Sequence, residues 1–291
     1  MNGGRWSVVW TRGAGCVELA GLLGAGEPHS VEGDLKKTVI ETRADLLVAR
    51  KHSSFDLVGT AVPNGFAPDA VASVVAAIGS GPHSALAAHV AQRLSDSLGV
   101  GGALVSASPD PDHDQSADAV LGEIAAQVPD LPTTVVRAES ARALVGTFDE
   151  GTLLVVGAPG GSWLQRQFFG PGRKLVVGSP SGAIVVRSAP RRVFHEMVEP
   201  DPFGAQMLVA DALRLMANDS VPVAVDGVLV GAVSRRDLEA ADPMATVGSV
   251  TRESVFVAPD DPLSSVDELE AFVLPVPVVD DSGRLLGVVE R

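Results

Sequence analysis

Between residues 69 and 190, short apolar runs alternate regularly with segments of helical periodicity. VASVVAAI (71–78), GALVSAS (102–108) and TLLVVGA (152–158) are apolar at almost every position. Strands of this kind are buried on both faces, and single helices between them imply parallel crossover connections. The pattern predicts an α/β domain with a doubly wound, parallel five-stranded sheet, completed by TTVVRA (133–138) and AIVVRS (183–188).

Residues 1–68 show a weaker form of the same alternation. SVVWT (7–11) and DLVGTAV (56–62) have the composition of strands, and the segment 35–51 between them has that of a helix. We therefore expect an N-terminal α/β extension. A degenerate partial copy of the domain at 69–190 is one interpretation of it.

The last third of the chain, residues 191–291, contains an internal repeat. SVPVAVDGVLVGAVSRRDL (220–238) and VLPVPVVDDSGRLLGVVER (273–291) each place an Asp-Gly or Asp-Ser-Gly turn between two apolar runs. Such turns between apolar runs predict β-hairpins. Helix-like stretches precede both, so this third is expected to be a tandem pair of α+β modules.

Composition narrows the classes of function. The net charge is −14, and residues 191–291, with 8 basic and 18 acidic side chains, account for −10 of it. An acidic chain gains nothing from counterion release on nucleic acid, so nucleic-acid binding is not expected. The single cysteine, Cys16, suits a reducing cytoplasm. No apolar run approaches the ~20 residues of a membrane helix, and the N-terminus lacks the order of a signal peptide.

The remaining histidines and aspartates with a suggestive spacing predict no site. His83 and His89 have no Ser or Asp partner at a convincing spacing, so no catalytic residue is expected. Asp110, Asp112, His113 and Asp114 resemble a metal cluster in composition, but their proline-broken spacing fits neither a calcium loop nor a zinc site. A solvated loop is the expected structure, and no metal is predicted.

The segment VVGAPGGSWLQRQFFGPGR (155–173) spaces Gly157, Gly160 and Gly170 as ATP-binding members of the universal stress protein family space the glycines of their last βα turn. Residues 69–190 resemble that family, which implies an ATP cradle at these glycines. Pro171 stands at the family's Ser/Thr position, and Gly79 stands where the ATP binders carry Asp. Glycines that only close a turn are the alternative interpretation.

The most specific motif of the last third is GAVSRRD, with Gly231, Ser234 and Asp237. Residues 191–291 resemble a tandem pair of cystathionine-β-synthase (CBS) domains. This resemblance implies that Asp237 accepts hydrogen bonds from ribose hydroxyls, that Ser234 lies near the phosphates, and that adenine packs near SVPV (220–223). The residues expected at this site are Gly231, Ser234, Arg235, Arg236 and Asp237 of the motif, with Pro222 and Val223 at the adenine. A plain capped helix start is the alternative interpretation.

These features together favour a non-enzymatic regulatory sensor that binds AMP, ADP, ATP or S-adenosylmethionine, connected with the stress response. The alternatives are a scaffold with vestigial nucleotide sites and a weak ATP-binding protein or ATPase. In the second repeat Glu290 replaces the Ser/Thr and the sequence ends at Arg291, so we expect one site per chain. A homodimer is expected through the helix faces of the CBS pair or through an unpaired edge strand, AIVVR (183–187).

Overall fold

The structure is a computed structural model, and it describes residues 6–51, 55–158, 179, 181–269 and 275–290. The chain separates into two compact units, Met1–Ala189 (unit 1) and Pro190–Arg291 (unit 2). None of the described helices is long and apolar enough to cross a membrane.

Unit 1 is a mixed α/β structure. Its strands are β1 Val8–Trp10, β2 His29–Ser30, β3 Leu46–Val48, β4 Gly59–Asn64, β5 Ser73–Ala77, β6 Gly101–Ser108, β7 Thr133–Arg137, β8 Thr152–Gly157 and β9 Ala183–Arg187. Its helices are α1 Cys16–Leu23, α2 Leu35–Glu41, α3 Ser84–Leu98, α4 Asp114–Ala125 and α5 Ala141–Val145. A further helix predicted near 163–169 lies outside the described residues.

These strands form one sheet in the order β2-β1-β3-β4-β9-β8-β5-β6-β7. The prediction of a parallel α/β sheet is confirmed for the neighbours among β5 to β9, which pair in parallel. The predicted limit of five strands is wrong, because the N-terminal extension adds four strands to the same sheet. The five-stranded sheet is thus part of a nine-stranded one.

The continuous apolar runs are explained by the two faces of this sheet. Along β5, Val74 and Ala76 belong to one hydrophobic cluster, and Val75 and Ala77 belong to another. Successive side chains of a strand point to opposite faces, so both faces are covered. Helix α3 packs into the first cluster and α5 into the second, through residues such as Leu94 and Leu144.

Strand β9 is not an edge strand, contrary to the expectation for AIVVR. Val186 pairs in parallel with Gly157 of β8 on one side and antiparallel with Ala61 of β4 on the other. The N-terminal extension therefore covers the edge that was expected to bind a second copy of the chain. Dimerisation through β9 would require β4 to leave it.

The extension follows an order similar to that of the rest of the sheet. Its strands run β2-β1-β3-β4, which corresponds to β6-β5-β8-β9 without a counterpart of β7. The helix predicted over 35–51 is shorter than expected, since α2 ends at Glu41 and Leu46–Val48 form β3. Arg43 adopts a left-handed conformation (φ 48°), which a continuing helix does not allow. The apolar run that follows pairs with β1 instead.

Unit 2 consists of two similar halves. Its elements are β10 Phe203–Gly204, α6 Val209–Leu215, β11 Ser220–Val225, β12 Val228–Ser234, α7 Arg235–Glu239, α8 Ser264–Leu269, β13 Val276–Val279 and β14 Leu285–Val289. Both predicted hairpins, β11–β12 and β13–β14, are confirmed as antiparallel pairs. Asp226 and Gly227 form the first turn with positive φ at both positions, as a two-residue hairpin requires.

The halves exchange short backbone contacts. The segment at Arg252 pairs antiparallel with Ala232 of β12, and the segment at Val198 pairs in the same way with Val288 of β14. Each hairpin therefore receives an added strand-like segment from the other half. This exchange matters for the site, because it places a residue of the second half beside the end of β12.

Candidate functional site

Ser234 ends β12 and is the N-cap of α7. Its backbone is extended, and its Oγ accepts a hydrogen bond from the backbone N–H of Asp237 at 3.1 Å. A serine at this position satisfies an amide that the helix leaves without a partner. The capped helix start considered from the sequence is thus present, and it brings Asp237 back towards the end of the strand.

Both carboxylate oxygens of Asp237 are engaged. The Ser234 hydroxyl donates to Oδ2 at 2.6 Å, and Nη2 of Arg252 donates to Oδ1 at 2.5 Å. The Ser234 hydrogen bond, together with the charges of Arg252 and Arg236, holds the pKa of Asp237 below its ordinary value. Asp237 is therefore an ionised acceptor at neutral pH, and its side chain is 20% exposed.

Gly231 permits the backbone contact that positions Arg252. Ala232 and Arg252 exchange two backbone hydrogen bonds of 2.9 Å. A Cβ on Gly231 would lie 2.1 Å from the carbonyl oxygen of Arg252, and φ at Gly231 is +150°. Only glycine fits such a close backbone approach. In the structure, Gly231 therefore contacts the segment at Arg252 and allows that segment to pair with β12.

The two arginines between Ser234 and Asp237 differ in their surroundings. Arg235 donates from Nη2 to the carbonyl oxygen of Met216 at 2.7 Å, which satisfies the C-terminal end of α6. Arg236 is exposed, and its charge acts on Asp237. Of the pair, Arg236 has the more accessible charge for an anionic ligand.

Pro222 and Val223 lie on opposite faces of β11. Pro222 is opposite Ala232 in the register, two residues from the Ser220–Ser234 pair, and so shares the face of Ser234. Val223 is fully buried in a cluster with Phe203, Val209 and Val233. Val223 is thus a core residue, and Pro222 is the one placed on the side of the polar groups.

Arg252 is the site residue that the sequence analysis missed. It lies 15 residues after Asp237, beyond α7, and no local spacing relates it to the GAVSRRD motif. Only the pairing of its segment with β12 brings it to Asp237. The internal repeat was the available signal, because two packed halves must contribute segments to each other.

Comparison with protein families matches the CBS domain model over residues 197–242. Residues 197–242 are a CBS domain. This segment contains β10 to β12, α6 and α7, and therefore Gly231, Ser234 and Asp237. No curated protein matches the chain.

Several solved structures are similar to part of the chain. The CBS domains of a transcriptional regulator from Streptococcus pneumoniae are 30% identical over 34% of this chain and 87% of that one, with a TM-score of 0.30. The cytosolic domain of the Mg²⁺ channel MgtE in complex with ATP is 28% identical over 34% of this chain, with a TM-score of 0.32. CbpB in complex with c-di-AMP is 17% identical over 34% of this chain and 79% of that one, with a TM-score of 0.32. This chain covers less than half, 45%, of the MgtE domain.

The half that follows the CBS domain carries a different set of residues at the corresponding place. Gly287 approaches Val198 as Gly231 approaches Arg252, since a Cβ on Gly287 would lie 2.8 Å from the carbonyl oxygen of Val198. Glu290 then corresponds to Ser234, and Val198 corresponds to Arg252. The hydroxyl of Ser234 and the guanidinium of Arg252 are therefore replaced by a carboxylate and an apolar side chain.

In unit 1, Gly157 ends β8 beside β9, whereas Gly160, Gly170 and Pro171 lie outside the described residues. A cavity of about 430 Å³ lies at the carboxyl ends of the neighbouring strands β5, β6 and β7. Gly79, Ser106 and Glu139 are among its lining residues. Ligands of open parallel sheets bind at this edge, so the cavity is the candidate site of unit 1.

The other polar residues have structural partners or remain buried. His113 Nδ1 lies 2.7 Å from Asp110 Oδ1, and Asp114 pairs with Arg137 on the exposed surface. His89 is only 7% exposed, so it is a buried histidine and not a solvated one. Among the described residues, no group of three His, Cys, Asp or Glu side chains could hold a metal ion.

His83 has a serine partner that the sequence did not reveal. The backbone N–H of Ser188 donates to His83 Nδ1 at 3.1 Å, and Ser188 Oγ lies 2.7 Å from the same nitrogen. Accepting the N–H requires an unprotonated Nδ1. Burial and the charge of Arg187 lower the pKa of His83.

We therefore expect the neutral form of His83 to stabilise unit 1. Because the folded pKa is lowered, this contribution is present above the unfolded pKa of about 6.5 and is lost as the pH falls through the lower folded value. NMR titration of the histidine Cε1–H signals should give His83 a midpoint below about 6.5. Asp110 raises the pKa of His113, which should titrate above that value in the same spectra. Equal midpoints would contradict the Ser188–His83 contact.

Proposed function

We propose that the chain is a non-enzymatic regulatory protein that binds an adenosyl ligand at Ser234 and Asp237. The observation that carries this proposal is the ionised Asp237 carboxylate, held at the end of β12 within a CBS domain and faced by Arg236 and Arg252. We further propose that residues 191–291 form a tandem CBS pair, since both halves contain the same hairpin and exchange equivalent segments.

The proposed binding mode uses each group for one part of the ligand. The two hydroxyls of a ribose donate to the Asp237 carboxylate, which accepts two hydrogen bonds side by side. The adenine packs on the face of the hairpin that carries Pro222 and Ala232. The phosphates, where the ligand has them, lie towards the Ser234 hydroxyl and the exposed guanidinium groups, which offset the acidity of this part of the chain.

Calorimetric titration of the full chain with AMP, ATP, S-adenosylmethionine and c-di-AMP tests this proposal. Asp237→Asn should weaken binding at least about 30-fold, because the ribose loses two charge-assisted hydrogen bonds. Asp211→Asn is the matched control, since Asp211 also pairs with an arginine, Arg214, in unit 2. Binding that Asp237→Asn leaves unchanged would overturn the proposed site.

A second candidate function is ATP binding in unit 1. The cavity at the ends of β5, β6 and β7 supports it, as does the strand order β9-β8-β5-β6-β7, with helices on both faces, which suits a domain like the universal stress proteins. In the same titration, ATP binding that survives Asp237→Asn favours this cavity. ATP hydrolysis would favour an ATPase, and a wild-type chain that binds none of the ligands would favour a scaffold. A role in the stress response depends on this second candidate.

We also propose a homodimer in the cytoplasm. The lone, buried Cys16 supports a reducing compartment. With β9 covered by β4, the helix faces of unit 2 remain the proposed contact between two copies. The exposed Leu215 and Met244 lie at the end of α6 and shortly after α7, where such a contact would bury them.

A further inference from the structure

Arg252 occupies the carboxylate that the proposed ligand requires. Its guanidinium donates to Oδ1 of Asp237, while the Ser234 hydroxyl donates to Oδ2. A ribose whose two hydroxyls both bind Asp237 competes with these donors for the lone pairs of the two carboxylate oxygens. Ser234 is held by the helix start that it caps, whereas the Arg252 side chain is 75% exposed. Breaking the exposed Arg252 contact therefore loses less binding free energy than breaking the Ser234 contact, so Arg252 is the donor that the ligand displaces.

The backbone of Arg252 stays in place when its side chain moves. Two hydrogen bonds to Ala232 and the close approach to Gly231 fix the main chain beside β12. The guanidinium can turn away from Asp237 but remains within a side-chain length of it. After displacement its positive charge lies next to the bound ribose, with the carboxylate already occupied.

We propose that Arg252 is a specificity-determining residue, which competes with the ligand for Asp237 and is compensated by a ligand that carries phosphate but not by a neutral nucleoside. This inference rests on the proposed function and adds the selectivity of the same site. A phosphate offers the displaced guanidinium a new charge-assisted partner. Adenosine, which is neutral, offers no such partner. The site thus selects nucleotides against nucleosides.

The test compares AMP with adenosine in the wild-type chain and in Arg252→Gln, by calorimetry on the full chain. AMP affinity should fall about tenfold, which corresponds to about 1.4 kcal/mol for one lost charge-assisted bond. Adenosine affinity should stay the same or rise, because its competitor is gone. The ratio of the two affinities therefore falls at least about tenfold. Arg191→Gln is the matched control, since Arg191 pairs with Glu196 elsewhere in unit 2 and should leave the ratio unchanged.

A second measurement needs no ligand. NMR titration of the Asp237 carboxyl carbon should show its pKa rising towards the ordinary value in Arg252→Gln and not in Arg191→Gln. An unchanged pKa, or an equal loss of AMP and adenosine affinity, would overturn the role of Arg252 while leaving the adenosyl site intact. A wild-type chain that binds neither compound would instead overturn the proposed function, and this inference with it.

Discussion

Gly231→Ala should destabilise unit 2 by about 3–5 kcal/mol, from backbone strain and the loss of two backbone hydrogen bonds. The new Cβ would lie 2.1 Å from the carbonyl oxygen of Arg252, a distance that no side-chain rearrangement relieves. The segment at Arg252 must therefore separate from β12. Amide hydrogen exchange measures the effect in unit 2, because all three tryptophans of the chain, Trp6, Trp10 and Trp163, belong to unit 1. The amides of Ala232 and Arg252 should lose their protection first.

Two other glycines of unit 2 serve as controls, because they separate the effect of a positive φ from the effect of the close backbone contact. In Gly227→Ala the backbone keeps its positive φ of 81°, but the new Cβ contacts only the side chain of Arg284. This substitution should therefore lower the free energy of unfolding by only about 1 kcal/mol. Gly204→Ala has open space and no left-handed backbone, so it should be neutral. If Gly231→Ala proved no more damaging than Gly227→Ala, the close contact between β12 and the Arg252 segment would be refuted. The ion pair between Arg252 and Asp237 would lose its structural basis as well.

The parts of unit 2 that could be predicted from the sequence are those fixed by neighbouring residues. The hairpin β11–β12 follows from an Asp-Gly turn between apolar runs, and the return of Asp237 to Ser234 follows from a three-residue cap. Arg252 could not be predicted in this way. Its position depends on the pairing of the two halves of the unit. Neither the charge of Arg252 nor its distance in sequence from Asp237 indicates that pairing.

In unit 1, too, local features could be predicted from the sequence and long-range pairings could not. The strands of the region 69–190 were predictable because apolar runs buried on both faces have few alternatives. The antiparallel pairing of β4 with β9 was not predictable, since it joins residues 119 to 127 positions apart and depends on which edge of the sheet pairs with the extension. The segment 35–51 was misread as one helix because its apolar end, LLVA, suits a helix or a buried strand equally. The Ser188–His83 contact could not be predicted either, because it also joins residues that are far apart in the sequence, 105 positions in this case.

Val62→Pro should lower the free energy of unfolding of unit 1 by about 4 kcal/mol and expose the edge of β9 that β4 covers. The carbonyl of Ala61 accepts from Ala49 on the β3 side, so the N–H and carbonyl of the next residue, Val62, face β9. Proline has no N–H to give to the ladder, and Val62 is buried against Val185. The lost ladder bond, the unpaired carbonyl of β9 and the disturbed packing together give the expected magnitude. Tryptophan fluorescence in urea follows the unfolding of unit 1.

Val62→Ala is the matched control, because it removes side-chain contacts and keeps the N–H. It should cost about 2 kcal/mol, by analogy with small truncations in a core, and should leave the association state unchanged. Sedimentation velocity should show that Val62→Pro forms larger assemblies than either the wild type or Val62→Ala, because an uncovered apolar edge strand pairs with a second copy. Equal association of all three chains would mean that β4 does not protect β9. The extension would then stabilise the sheet without controlling which of its edges is free.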